Sequence, residues 1–555
     1  MYYLLSFFTI VLLEAAIYLY GSKFLNLFID KNKSGNKTLH EGSKIFLGLF
    51  VLGNLIFVIN LFTPITPYML IPLTFFIFIF ERKQIKHFFS NNFILFSSSS
   101  ILMFSIYTNN PSTDSLKYHF FNQSLINNSK FVIGISNFDM NYGILSIFEY
   151  LSSILWVDNN YFFIQFLNII LLSGFFNFIY LLFDSGNIKF TNISLILLLV
   201  GLLDNFGFGG GRNGFVFIQE IGKFDSSVAI LLTISFIYLI YILDNKLNFQ
   251  HPEVLIFLYL STFLIQVRSF YYSYLGIVLI YFLFNKTLKV TNKLIPLFIV
   301  NMLWIVKSIF SNSCLIFPVQ FTCFTSLPWS FPYQAKFYSL VATTNNRNPN
   351  EHIIEVMNFD WVMSYWLKLN YSYLLNVLIT SFLIYVIFRF SKNSKSEKVN
   401  YLYWIILFVN ILTWFVLYPN YRFISGSLII LYLIVVNKYL NENNFLTRTI
   451  NSKAKFIVLL FFCISLTPRI STYLTVLENL NINVIERFEI TNIEYIDNTE
   501  SYGVKPVGLF CYNKFDCSIS KQVVELKTLY SYKIFIPKNL DMYIKGSINY
   551  YEKNY

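Results

Sequence analysis

Apolar residues run along this chain in blocks of about 20, the length an α-helix needs to cross the hydrocarbon of a bilayer, and polar stretches separate the blocks. Such windows fall near 2–21, 44–62, 65–81, 91–107, 161–183, 190–203, 226–243, 253–267, 270–285, 294–310, 372–390, 401–418, 422–438 and 455–467. The pattern predicts an all-α integral membrane bundle of about fourteen transmembrane helices. The stretch from Met1 to Tyr20 has neither a basic lead nor a small-residue cleavage site, so it reads as a retained span rather than a signal peptide.

Basic residues alternate with the windows. Lys23, Lys31, Lys33, Lys37 and Lys44 follow the first; Arg82, Lys83 and Lys86 the third; Lys286, Lys289 and Lys293 the ninth. Arg389, Lys392, Lys395 and Lys398 follow the eleventh, and Lys438, Arg448, Lys453 and Lys455 the thirteenth. Short Lys- and Arg-rich loops mark the cytoplasmic face, which places the loops 108–160, 204–225 and 311–371 and the tail after 468 together on the outer side. The chain divides accordingly into N-terminal helices (1–107), an outer loop (108–160), central helices (161–310), a second large outer loop (311–371), C-terminal helices (372–467) and an outer tail (468–555). In the first outer loop Ile144, Ile147, Phe148, Leu151, Ile154 and Leu155 recur at helical spacing and predict an amphipathic helix lying on the membrane surface. Partly alternating stretches such as Phe488 to Ile496 predict a small α/β or β appendage for the tail.

Composition sharpens this picture. Of 555 residues, 55% are hydrophobic and only 13% charged, which excludes an ordinary soluble domain. The formal charge of +12 resides in short loops and not on one continuous face, so it reports topology rather than a nucleic-acid partner. Aromatics reach 20% but are spread along the whole chain and carry no functional weight. Cys314, Cys323 and Cys463 show no metal-ligand spacing. Cys511 and Cys517, close together in the outer tail, are expected to form a disulfide.

The segment Asn109 to His119 carries the most chemistry, because it sets an acid, Asp114, where the fourth window meets the outer loop. In an α-helix starting near Ser112, Asp114 and Tyr118 share a face while His119 points about 140° away. Asp114 reads equally as a reactive carboxylate or as a first-turn acid of a helix capped by Ser112. Arg422, then Arg212, Arg268 and Lys307, are candidates to hold a phosphate, and each also reads as an anchor snorkelling to the interface. Glu220 and Asp225 are further acids on that side, suited to a sugar hydroxyl or a metal, although solvated loop acids are commoner. Glu14 stands inside the first window, where an ionisable group is costly and is usually functional or paired; it is the best argument for a transporter. Trp329, Trp361 and Trp366 suit either sugar stacking or an interfacial belt. The Gly207 to Gly211 stretch lacks a βαβ context and reads as a flexible turn.

Asp114-Ser115-x-x-Tyr118-His119 in the first large outer loop, followed by the helical stretch and many spans, resembles the C-type (GT-C) polytopic membrane glycosyltransferase superfamily, more narrowly a bacterial branch of it. Lys307 through Phe317-Pro318 to Trp329-Ser330-Phe331-Pro332, the Pro419-Asn420-Tyr421-Arg422-Phe423 turn and the late Cys511 and Cys517 agree with that branch. The resemblance implies that Asp114 is the catalytic base and that a polyprenyl-phosphate-type lipid donates the sugar. A glycan or lipid at the outer leaflet of a bacterial inner membrane would receive it. Tyr118 and His119 would line the substrate site. Two features depart from the family pattern: Ser115 stands where many relatives have a second acid, and three extra spans precede the loop. The first leaves any divalent metal open, and no other cofactor is implied. A lipid-linked glycan flippase or other transporter and a glycan polymerase are the rival readings.

Overall fold

A helix that carries glycine where it meets a neighbour can bring its backbone into direct contact, and the first two helices do so. The computed structural model describes residues 2–28, 35–106, 115–206, 224–284, 292–347, 359–390, 400–439 and 453–466, and short strands between 495 and 538, apart from single or paired positions within those stretches. Helix α1 (Tyr2–Phe28) packs along α2 (Lys37–Asn60). A Cβ built on Gly48 would stand 1.8 Å from the carbonyl oxygen of Ile17, and one on Gly21 would stand 1.9 Å from that of Lys44. Close approach of this kind suits helices in lipid, where dispersion and not water exclusion holds them together.

The remaining helices are α3 (Leu70–Phe80), α4 (Arg82–Asn91), α5 (Phe93–Ile106), α6 (Phe120–Asn128), α7 (Ile147–Ser153), α8 (Gln165–Asp184), α9 (Ile188–Phe206), α10 (Asp225–Asp244), α11 (Pro252–Val267), α12 (Tyr272–Phe284), α13 (Ile295–Asn312), α14 (Gln334–Arg347), α15 (Leu367–Phe390), α16 (Tyr401–Leu417), α17 (Tyr421–Tyr439) and α18 (Ala454–Leu466). Among the described residues five stretches are long and apolar enough to cross a membrane: Leu4–Leu27, Lys37–Asn60, Phe162–Asp184, Asp225–Asp244 and Asn292–Asn312. A sixth arises if Val362–Tyr371 and Tyr373–Tyr385, bent by 65°, form one broken span. Other expected windows form apolar helices of 10–17 residues. Between 65 and 107 two of the expected windows form α3 and α5, and the basic stretch between them is itself a helix, α4, which turns Phe88 inward while its basic residues stay out.

Helices α8 and α10 are buried along almost their whole length and form the centre. Helix α13 lies at the edge: Ile295, Phe298, Ile299, Met302, Val306 and Phe310 face outward, while Trp304, Lys307, Ser308 and Ser311 face in. The spacing is that of a helix with a lipid-directed apolar stripe and a polar inner face. At one end of the bundle the start of α2 meets α10 and α11, where Tyr238 donates to the Leu39 carbonyl (2.7 Å) and His40 lies 3.3 Å from the buried Glu253. The opposite end, termed the upper end, carries Asn60, Asp225, Arg268 and Asn312.

The upper end is built from polar segments packed on one another. Helix α7 is shorter than the expected surface helix and is not amphipathic in use, since all seven residues are buried. It packs against α2, α6 and α11, so its hydrophobic spacing reflects burial on every side and not a membrane surface. The loop after α13 is closed by a disulfide between Cys314 and Cys323. It is pinned to the first loop by Asn312 donating to the Gly143 carbonyl (3.0 Å), Asn137 donating to the Trp329 carbonyl (2.8 Å) and Ser136 bonding Gln334 (3.0 Å). The tail contributes antiparallel strands β1 (Tyr495–Asp497), β2 (Ser501–Val504) and β3 (Ser518–Ser520), and the hairpin β4 (Val524–Leu529) with β5 (Tyr532–Pro537). Strand β5 exchanges backbone hydrogen bonds with Ile133, from Ile133 to Lys533 (2.9 Å) and from Phe535 to Ile133 (3.0 Å), and Tyr532 donates to the Leu61 carbonyl (2.7 Å).

Two outcomes test this architecture. Gly48→Ala should destabilise the protein by about 1–3 kcal/mol, because neither backbone at the α1–α2 crossing can withdraw from an added methyl; thermal unfolding in detergent measures it. Cys314 and Cys323 should resist a maleimide probe until the unfolded chain is reduced, whereas labelling of both thiols without reductant would contradict the bridge.

Candidate functional site

The site begins where Asp114 was expected to act. Asp114 itself lies outside the described residues; the next five, Ser115–His119, form a π-helical turn that runs into α6. Such turns are wider than an α-helix and occur often at functional sites; the expected angles from Asp114 to Tyr118 and His119 lie outside the described residues. The Tyr118 and His119 rings lie side by side, 4.3 Å between centroids.

His119 Nδ1 is hydrogen-bonded to Glu149 Oε1, and Gln123 donates to Glu149 Oε2 at 3.1 Å. Glu149 stands at the start of α7, is 4% exposed, and is the residue that sequence reasoning missed. The signal was present: one acid inside the apolar run Ile147-Phe148-Glu149-Tyr150-Leu151. A carboxylate buried there needs donors, and His119 and Gln123 supply them.

The other face of the His119 ring meets Phe224 edge-on at 5.2 Å, and Phe224 also packs on Phe148. Phe224 precedes Asp225, the buried first residue of α10, whose carboxylate lies 3.0 Å from the guanidinium of Arg268 at the end of α11. The Arg268 guanidinium in turn lies over the Phe423 ring, 4.6 Å from its centre, in the first turn of α17. One run of contacts thus joins the segment after Asp114 to Asp225, Arg268 and the residue next to Arg422. Arg422 belongs to α17, but its side chain lies outside the described residues, as do Arg212 and Glu220. Asp225 is a buried ion-pair partner and not a solvated loop acid, and Arg268 is held by that acid and an aromatic face rather than snorkelling to lipid.

Beside Glu149 is a small cleft lined by Asn60, by residues of α6, of the segment 130–135 and of α7, and by Lys307 and Ser311 of α13. Lys307 lies at its base, 4% exposed. Its Nζ stands 3.9 Å from the Trp304 ring centre and 4.5 Å from that of Tyr150. Lys307 is therefore an inward-facing cation and not an interfacial anchor. Burial, reinforced by the Glu149 carboxylate, pushes the Tyr150 hydroxyl well above the ordinary phenol range, so it stays a donor at neutral pH.

No group of three His, Cys, Asp or Glu side chains suited to a metal occurs among the described residues. No curated protein and no solved structure matches the chain. The family described as Domain of unknown function (DUF8201) matches residues 1–429. The chain belongs to the DUF8201 family. The stretch matched to DUF8201 contains His119, Glu149, Asp225, Arg268, Lys307 and Phe423, and leaves out the strands of the tail.

Several other expectations for this DUF8201 member are altered by the structure. Cys511 and Cys517 lie outside the described residues, and the bridge that is seen joins Cys314 to Cys323, whose separation of nine positions had offered no metal or pairing signal. Trp361 and Trp366 are buried in a cluster with Trp414 and Ile424, and Trp329 donates to the Ile309 carbonyl (2.9 Å). The first two have no ring face free for a sugar. Glu14 accepts from Ser99 and, at 2.8 Å, from Ser173, which fastens α1 to α5 and α8. Both bonds reach Oε1, and Oε2 is buried without a hydrogen-bond partner among the described residues.

Glu149→Leu should cost about 3 kcal/mol, since it leaves the His119 and Gln123 donors buried without their acceptor, and Glu149→Gln should recover part of the loss. Chemical unfolding of the two variants measures it; equal stability of Glu149→Leu and the parent protein would show that the acceptor is dispensable.

Proposed function

We propose that this protein is a membrane glycosyltransferase that moves a sugar from a polyprenyl-phosphate-type lipid to a glycan or lipid acceptor on the outer side of a bacterial inner membrane. The observation that carries the reading is the run of contacts from His119 through Phe224, Asp225 and Arg268 to Phe423, which gathers elements of four separate polar segments at the upper end. An enzyme acting on a lipid-linked sugar needs a base for the acceptor hydroxyl and cations for the departing phosphate, both at the edge of the hydrocarbon.

In this reading Asp114 takes the proton from the acceptor hydroxyl as that oxygen attacks the anomeric carbon, and the bond from that carbon to the phosphate oxygen breaks. Arg422, with Arg268 beside it, steadies the negative charge that collects on the phosphate. The Glu149–His119 pair acts as a positioning device for the π-helical turn that follows Asp114. The Cys314–Cys323 bridge supports the orientation, because disulfides persist in oxidising compartments and this one belongs to the upper end.

Asp114→Asn should lower turnover of a matched lipid-linked sugar by about 100-fold or more while the purified protein keeps its unfolding temperature. Unchanged turnover would remove Asp114 as the base. Transbilayer movement of the lipid-linked substrate in sealed vesicles, with no new glycosidic bond in any condition, would replace transfer by transport.

A further inference from the structure

A buried ammonium is expensive unless its donors are used, and at Lys307 they are not. Three aromatic rings surround it, Trp304, Tyr150 and, 5.6 Å away, Phe57, yet it donates to no acceptor among the described residues. Ser311, one helical turn further along α13, lines the same cleft, and its hydroxyl is buried without a hydrogen-bond partner among the described residues. The Tyr150 hydroxyl, kept protonated by burial, lines it as well. Lys130 stands in the cleft wall, its ammonium 5.5 Å from the Tyr532 ring. The nearby Glu149 carboxylate accepts from His119 and Gln123, and among the described residues it forms neither an ion pair nor a hydrogen bond with Lys307.

We infer that this cleft is an oxyanion-binding site, in which Lys307, Ser311 and Tyr150 donate to a phosphate group of a ligand entering between α6 and α13. It is a second anion site, apart from the Arg268 and Phe423 cluster, and it does not depend on the sugar-transfer reading. The phosphate could be a lipid headgroup or a soluble anion; the chemistry that recognises it is the same.

Isothermal titration of the full-length chain in a neutral detergent, with inorganic phosphate, with dodecyl phosphate and with chloride at matched ionic strength, tests the site. Saturable binding of either phosphate probe that chloride does not reproduce, weakened about tenfold by Ser311→Ala and about 100-fold by Lys307→Met, supports it. Binding of dodecyl phosphate alone assigns a lipid source, and binding of inorganic phosphate alone or of both probes equally assigns a soluble one. Absence of binding by both probes, or equal affinity in Ser311→Ala and Lys307→Met, overturns it. Ser311→Ala removes only a hydroxyl and keeps the test valid should Lys307→Met fold poorly. The Arg268→Gln variant, altered at the other cation, should keep the component of binding that Lys307→Met removes.

Discussion

The upper end of this protein is organised around a carboxylate that has been taken out of water. An ionised acid buried among aromatic and aliphatic side chains is costly by itself, and the cost is offset only when donors close on both of its oxygens. Glu149 meets that requirement by drawing His119 and Gln123 onto α7. The first turn after the 107–114 segment cannot move independently of α7, and α7 cannot move independently of α2. Packing then extends from the His119 ring to Phe224 and the start of α10, and from there through an ion pair to α11 and α17. Segments distant in the chain are held in one place by a few polar contacts within an apolar scaffold.

That scaffold has two different inner logics. Around α8 and α10 the helices are buried on all sides and carry scattered serines and asparagines that bond to one another, such as Asn177 with Asn92 and Ser235 with Ser261. In such surroundings a polar side chain finds its partner on the next helix, as Glu14 does. At α13 the arrangement is one-sided, with an apolar outer stripe and an inner face of Trp304, Lys307, Ser308 and Ser311. At that inner face Lys307 meets the rings of Phe57 on α2 and Tyr150 on α7, beside a cleft that α6 and the segment 130–135 also line.

The amino-acid pattern made the helical membrane character legible, since runs of apolar residues report directly on the solvent they need. It was less informative about helix ends: the basic stretch Arg82–Asn91, expected as a loop between two spans, is helical. The alternating stretch Phe488 to Ile496 overlaps the observed strands only at Tyr495 and Ile496, its other residues lying outside those described, and α7 misled, because hydrophobic spacing does not distinguish a helix that floats on lipid from one enclosed by protein. For the site, residue types were readable but partners were not. Asp225 and Arg268 stand 43 positions apart in the sequence, and nothing local to either announces the other. Glu149 escaped notice for the same reason: its value lies in His119 and Gln123, 30 and 26 positions away.

The hairpin of β4 and β5 carries a consequence for how the molecule is made. It adds a strand to the backbone at Ile133, a position that emerges from the ribosome some 400 residues earlier. During synthesis the first loop must therefore wait with an open hydrogen-bonding edge, and it is sealed only when the hairpin arrives. Assembly of this end is a late event, so a nascent protein passes through a stage in which the helices α1 to α18 are made while the polar cap is still incomplete.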